Sequence, residues 1–246
     1  MKTAAIVQAR MGSTRLPGKV LEPLLGKPML ARQVERMRRA RSLDGIVIAT
    51  TEHAGDDLIA EFARVEGLSL FRGPEHDVLS RYAGAARTFG VENVVRITSD
   101  CPLMEPVLID EAVGIFASDR ADYVSNMIEP TYPYGLAVEV FSARSLAEAD
   151  ALATQPAERE HVTPYLYWNP GRFRLHALRM TPDLSHHRWT VDTLEDLELV
   201  RRIYGALYPA RPEFSMADVL ALLEANPSWA AINAHVVQKK PTSIES

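Results

Sequence analysis

Residues 8–19 bring together two glycines (Gly12, Gly18), two hydroxyls (Ser13, Thr14) and three cations (Arg10, Arg15, Lys19). Glycine lets backbone amides come close to phosphate oxygens. Arginine presents a planar fork matched to phosphate, and lysine adds a compact positive charge. Together these groups suit a triphosphate. The spacing is not that of a Walker A loop: five residues separate Gly12 from Gly18, and Val20 follows the lysine. Nor is it G-x-G-x-x-G, because Gly12 stands alone. The plainer reading is a polar surface loop with an incidental helix cap at Ser13 or Thr14.

The elements around this loop alternate. Strands are predicted over 3–9, 45–50, 68–71 and 93–97, and helices over 28–37, 56–65, 77–89 and 106–117. Leu30, Val34 and Met37 show the helical spacing in the first of these helices. Such alternation predicts an α/β fold with a mostly parallel sheet flanked by helices. In such sheets ligands bind beyond the carboxyl ends of the strands, which is where the cationic loop falls. The second half is less regular. Strands are expected over 121–127, 136–141 and 173–180, and helices over 142–152, 160–168, 193–204 and 215–224. Thr193 and Asp196 have capping-box spacing. A single domain over 1–236 is expected, with a smaller subregion around 121–180, and 237–246 reads as a frayed tail.

The chain has 246 residues, 47% apolar and 24% charged, with a net charge of −5. No run of 18 apolar residues is present, so no membrane helix is expected. The one cysteine, Cys101, excludes an internal disulfide or a thiolate zinc site. The first ten residues lack a secretory pattern, which suggests a cytoplasmic protein. The charge is uneven: residues 1–41 hold ten basic and two acidic residues, and the rest is acidic. A cationic patch on an acidic protein points to a small polyanionic ligand rather than nucleic acid. Arg32, Arg36, Arg38, Arg39 and Arg41 are read as a solvated helix face. Arg10, Arg15 and Lys19 are not explained that way.

Residues 8–21 (QARMGSTRLPGKVL) closely resemble the signature of sugar-acid cytidylyltransferases. These include 3-deoxy-manno-octulosonate cytidylyltransferase and, nearer still, the spore-coat polysaccharide biosynthesis protein F family. The likeness continues through 72–81 (RGPEHDVLSR), 96–103 (RITSDCPL), 132–136 (YPYGL), 160–164 (EHVTP) and 189–197 (WTVDTLEDL). It implies a glycosyltransferase-A-like nucleotidyltransferase fold, with transfer of CMP from CTP to a small anionic acceptor and release of pyrophosphate. The nucleotide contacts it implies are Gln8, Ala9, Arg10, Met11, Gly12, Ser13, Arg15 and Lys19, with Thr98 or Ser99 near the base, and with Arg72, placed in the loop after the third strand, and Ser80-Arg81 in the region bordering the nucleotide. Lys19, Arg10 and Asp100 would form the catalytic set, with Lys19 neutralising charge on the α-phosphate. A homodimer formed through 121–180 is also implied.

Charge on a transferring phosphate calls for Mg²⁺ held by carboxylates. Asp100 follows the fourth predicted strand, and Asp192 follows a strand-like tract at 188–191 and precedes a late helix. Each alone reads equally well as a turn or helix-start residue; the resemblance makes them the metal ligands. Asp196 is accounted for by the capping box. His186 and His187 lack a third ligand at zinc spacing. For the acceptor, Tyr134, Gly135, Glu139 and His161 are the candidates, although a lone histidine is more often structural. The related family carries an aspartate where this chain has Ala137, so Glu139 would cover that role or the acceptor would differ. Two rivals remain: a glycosyltransferase of the same fold, which usually carries D-x-D where this chain has Asp100-Cys101-Pro102, and a catalytically idle nucleotide-binding protein.

Overall fold

In the first strand, β1 (Thr3–Gln8), alternate residues serve opposite faces. Ala5 and Val7 join one apolar core, and Ala4 and Ile6 the other. A strand buried on both faces is the signature of a sheet covered by helices on each side. The computed structural model describes residues 1–118 and 120–238. After β1 the cationic loop leads into a 3₁₀ turn at Lys19–Leu21, then a small ribbon of β2 (Pro23–Leu24) and β3 (Lys27–Pro28). The chain continues through α1 (Met29–Met37), β4 (Gly45–Thr51), α2 (Asp57–Val65), β5 (Ser69–Gly73), α3 (Val78–Thr88), β6 (Asn93–Thr98) and α4 (Pro106–Ala117). The second half holds β7 (Tyr123–Ser125), β8 (Glu139–Ser142), α5 (Ala143–Leu152), α6 (Pro156–His161), α7 (Pro164–Tyr167), β9 (Leu175–Ala177), α8 (Leu194–Leu207), α9 (Met216–Ala225) and α10 (Pro227–Ala230).

One seven-stranded sheet runs β5-β4-β1-β6-β8-β7-β9. The strands β5, β4, β1 and β6 are parallel. β8 pairs antiparallel with both β6 and β7, and β9 runs parallel to β7. The expected α/β architecture is therefore present, and the carboxyl ends of the parallel strands share one edge. Among the described residues, no helix is long and apolar enough to cross a membrane.

Several expectations need correction. Residues 160–168 do not form one helix. α6 ends at His161, Val162 turns the chain at φ 74°, ψ −54°, and α7 begins at Pro164. His161 closes a helix rather than opening one. Residues 188–191 form no strand; only an isolated bridge joins Arg188 to Tyr134. Arg32 and Arg36 are not solvated. Both are nearly fully buried, with their guanidinium groups donating to Leu24, Leu25, Met104 and Phe214 carbonyls. These arginines tie α1 to neighbouring loops, a use of charge that composition does not distinguish from surface decoration. Of the predicted tail, residues 239–246 lie outside the described residues.

Candidate active site

The loop after β1 is folded back on itself. The Met11 carbonyl accepts from both Ser13 N and Gly18 N, and Met11 N donates to buried Asp56 at 2.7 Å. Gly18 has φ 73°, a left-handed conformation that glycine adopts without steric penalty. That turn sends Lys19 inward, onto the carboxyl edge of the sheet. There its ammonium donates to Asp100 Oδ2 at 3.1 Å, Asp192 Oδ1 at 2.8 Å and the Val191 carbonyl at 2.7 Å.

The two aspartates are each held from behind. Thr98 donates to Asp100 Oδ1 at 2.6 Å. Asp192 Oδ2 accepts from Arg188 at 2.8 Å and pairs with Arg15 at 2.9 Å. Asp196 in turn fixes Arg188 through two contacts at 2.9 and 3.0 Å and caps α8 together with Thr193. Each catalytic candidate carboxylate thus keeps one oxygen for the protein scaffold and aims the other at Lys19. Burial opposes the Lys19 charge, but Asp100 and Asp192 outweigh it and raise its pKa. Burial likewise opposes the Asp192 charge, but Lys19, Arg15 and Arg188 outweigh it and lower its pKa.

Of the expected nucleotide contacts, Gln8, Ala9, Arg10, Ser13, Arg15 and Lys19 line one cleft of about 690 Å³, together with Ser99 and Asp100. Met11 and Gly12 belong to the same loop but do not line it. Arg72 is placed elsewhere. It lies within β5, not in the loop after it, and its guanidinium is clamped by the Thr51 and His53 carbonyls and Asp57. The cleft also takes in Arg81, from the segment expected to border the nucleotide, and Arg159, which sequence reading did not single out. Arg159 is held by Asp77, 82 positions earlier, so no local spacing signals its place beside the cleft.

A second cavity of about 670 Å³ adjoins the first. Tyr134, Glu139 and His161 line it, beside Ala137, Met127 and Tyr167. Its floor is a buried network. Glu139 pairs with Arg96 and accepts from Tyr123 at 2.5 Å and Thr163 at 2.6 Å. Arg96 also reaches Gln8 Oε1 at 3.2 Å. The Arg96 charge is therefore engaged within the protein. Arg96 was missed from sequence, though a lone arginine in the apolar run of β6 was a visible signal. Gly135 lines neither cavity. A Cβ there would fall 2.4 Å from Thr190 N, and its φ is 113°. Its role is to let the 134–135 backbone lie against Trp189 and Thr190.

Val162 holds an unusual backbone conformation. A β-branched residue at φ 74° is an outlier, and the Thr163 N to His161 O bond of 2.9 Å closes a γ-turn of the rarer, strained kind. Such strain costs about 1–3 kcal/mol and persists only where surrounding packing imposes it. Here it places Thr163 on Glu139 and His161 at the cavity wall.

One oxygen each of Asp100 and Asp192 converges on the Lys19 ammonium. An all-oxygen donor set of two carboxylates fits a hard divalent cation that takes its remaining ligands from phosphate and water. Among the described residues, no cluster of three or more histidine, cysteine, aspartate or glutamate side chains could hold a metal alone.

A mostly parallel sheet with a cation-and-carboxylate cleft at its carboxyl edge defines a nucleotidyltransferase. A family model described as cytidylyltransferase matches residues 4–217, and the chain belongs to the cytidylyltransferase family. It is 36% identical over 249 residues to the uncharacterized protein MJ1063 of Methanocaldococcus jannaschii, covering 100% of both chains. It is 33% identical over 232 residues to the spore coat polysaccharide biosynthesis protein SpsF of Bacillus subtilis, covering 92% of this chain and 95% of that one. A solved cytidylyltransferase structure from Leptospira borgpetersenii superposes with a TM-score of 0.89 at 33% identity, covering 98% of this chain and all of that one.

Proposed function

We propose that this cytidylyltransferase moves CMP from CTP to a small acceptor and releases pyrophosphate, supplying a precursor of surface polysaccharide or another glycoconjugate. The observation that carries this reading is the convergence of Lys19, Asp100 and Asp192 at the sheet edge, where Lys19 and Asp100 line the larger cleft. Arg10, Arg15 and Lys19 would hold the triphosphate, with Lys19 nearest the α-phosphate. An acceptor oxygen attacks phosphorus, the bond to the bridging oxygen breaks, and pyrophosphate leaves with that electron pair. Mg²⁺ held by Asp100 and Asp192 would neutralise phosphate charge and keep the reacting oxygens in line.

The acceptor is a sugar acid or a phosphorylated small molecule. Its anionic group belongs toward the cleft, where the cations are, because Arg96 in the second cavity is already matched by Glu139. Its uncharged body then faces Met127, Ala137 and Tyr167. The same reading expects a cytoplasmic homodimer joined through 121–180, which light scattering tests.

The decisive experiment measures pyrophosphate release while crossing the four nucleoside triphosphates with sugar acids and phosphorylated acceptors. Release with CTP and one acceptor class is expected. Binding of CTP without turnover on any acceptor, or turnover of a nucleotide-sugar instead, would refute the proposal.

A further inference from the structure

We propose that His161 is the general base of the transfer, its imidazole taking the proton of an acceptor hydroxyl as that oxygen attacks the α-phosphorus. This rests on the cytidylyl-transfer reading above and adds to it a base and a class of nucleophile.

Three residues line both cavities: Thr98, Glu160 and His161. They mark the junction where the contents of the nucleotide cleft meet those of the acceptor cavity, which is where the attacking oxygen must sit. Threonine does not exchange protons near neutral pH. Glu160 is exposed, whereas His161 is half-buried. His161 is also fixed in place, since α6 ends on it and the strained turn at Val162 ties the following Thr163 to Glu139. Strain of this kind collects where a side chain must be aimed.

The charged groups around the imidazole are Glu160 on its own helix, Arg96 from β6 and Glu139 from β8; Tyr134 and Tyr167 share the cavity. Burial, aided by Arg96, lowers the His161 pKa below its ordinary value despite the two glutamates. The ring is then neutral at pH 7 and able to accept a proton.

The step balances. The acceptor O–H bond breaks as the oxygen–phosphorus bond forms, the proton goes to a ring nitrogen of His161, and pyrophosphate departs with the bridging electron pair. The imidazolium returns its proton to solvent after the product leaves. A phosphate acceptor is already deprotonated and needs no base. A base at this junction therefore favours a sugar hydroxyl as the nucleophile.

The test is His161→Gln in the full chain, with pyrophosphate release followed from pH 5 to 8 and CTP binding followed by its effect on Tm. We expect kcat to fall roughly 10²–10⁴-fold, with an unchanged KM for CTP and an unchanged CTP-induced Tm shift. The native enzyme should lose kcat as pH falls, and that loss should vanish in the variant. Native turnover combined with an acid limb retained in His161→Gln overturns the base assignment alone. Loss of CTP binding in the variant overturns it too, because a base acts after the nucleotide is bound. So does an acid limb that disappears in Glu160→Gln instead. If the native protein releases no pyrophosphate with any pair, the functional reading fails and this inference falls with it.

Discussion

Lys19 donates to three oxygens, which engages every hydrogen of its ammonium group. Replacing it by methionine should reduce pyrophosphate release at least ~100-fold, the scale seen when one charge-stabilising donor is lost. Its raised pKa keeps it charged through the neutral range, so no alkaline limb below pH 9 should trace to it. Asp100→Asn and Asp192→Asn should each abolish turnover in a folded protein, but they should differ in stability. Asp192 balances three cations, and removing one charge of a buried pair costs about 3–5 kcal/mol, so Asp192→Asn should melt at clearly lower temperature. The sign with pH follows from the lowered Asp192 pKa. Its stabilisation is complete above the ordinary value of 3.8 and is lost as pH falls through the lower folded value. Acid unfolding monitored by circular dichroism should therefore be shallower in Asp192→Asn. At this scale the cationic loop was legible because glycine and charge coincide after the first strand. Arg72 and Arg36 were not, because their partners are carbonyls and carboxylates brought near only by the fold.

Among the elements, the parallel half was readable from periodicity. The inner strands β1, β4 and β6 feed the apolar cores on both faces, the edge strand β5 is only partly buried, and each crossover helix carries an apolar stripe. The second half was harder. The strands there are only three or four residues long, and Val162 breaks a stretch in which Val162, Tyr165 and Leu166 keep helical spacing but which Pro164 already interrupts in the sequence. The tract at 188–191 looks like a strand but has one bridging partner only. Gly135 tests how closely that tract must approach. Gly135→Ala should destabilise by at least about 1–3 kcal/mol, since the new methyl meets the Thr190 amide. It should raise KM for the acceptor while leaving the CTP-induced Tm shift intact, because Tyr134 lines the acceptor cavity and not the cleft. A weakened CTP response would mean that the two cavities are not separable.

For the whole molecule, the cluster of Arg15, Lys19 and Arg188 with Asp100, Asp192 and Asp196 is internally neutral. A triphosphate that draws Arg15 and Lys19 toward itself leaves Asp100 and Asp192 short of positive charge, which a divalent cation can restore. Nucleotide and metal should therefore bind with positive and reciprocal coupling. Calorimetry should show tighter CTP binding with Mg²⁺ than with a chelator, and tighter Mg²⁺ binding with CTP; equal affinities in both cases would contradict this. The sheet reverses at a single strand, β8, which runs against both β6 and β7, while β7 and β9 run with the parallel set. On the proposed reading, the shared energy source is handled by one half of the molecule and the variable cargo by the other, the half built on β8, β7 and β9. Descendants of such a chain can drift in what they activate by altering only that flank, and a chimaera exchanging it is the natural way to reprogram the enzyme.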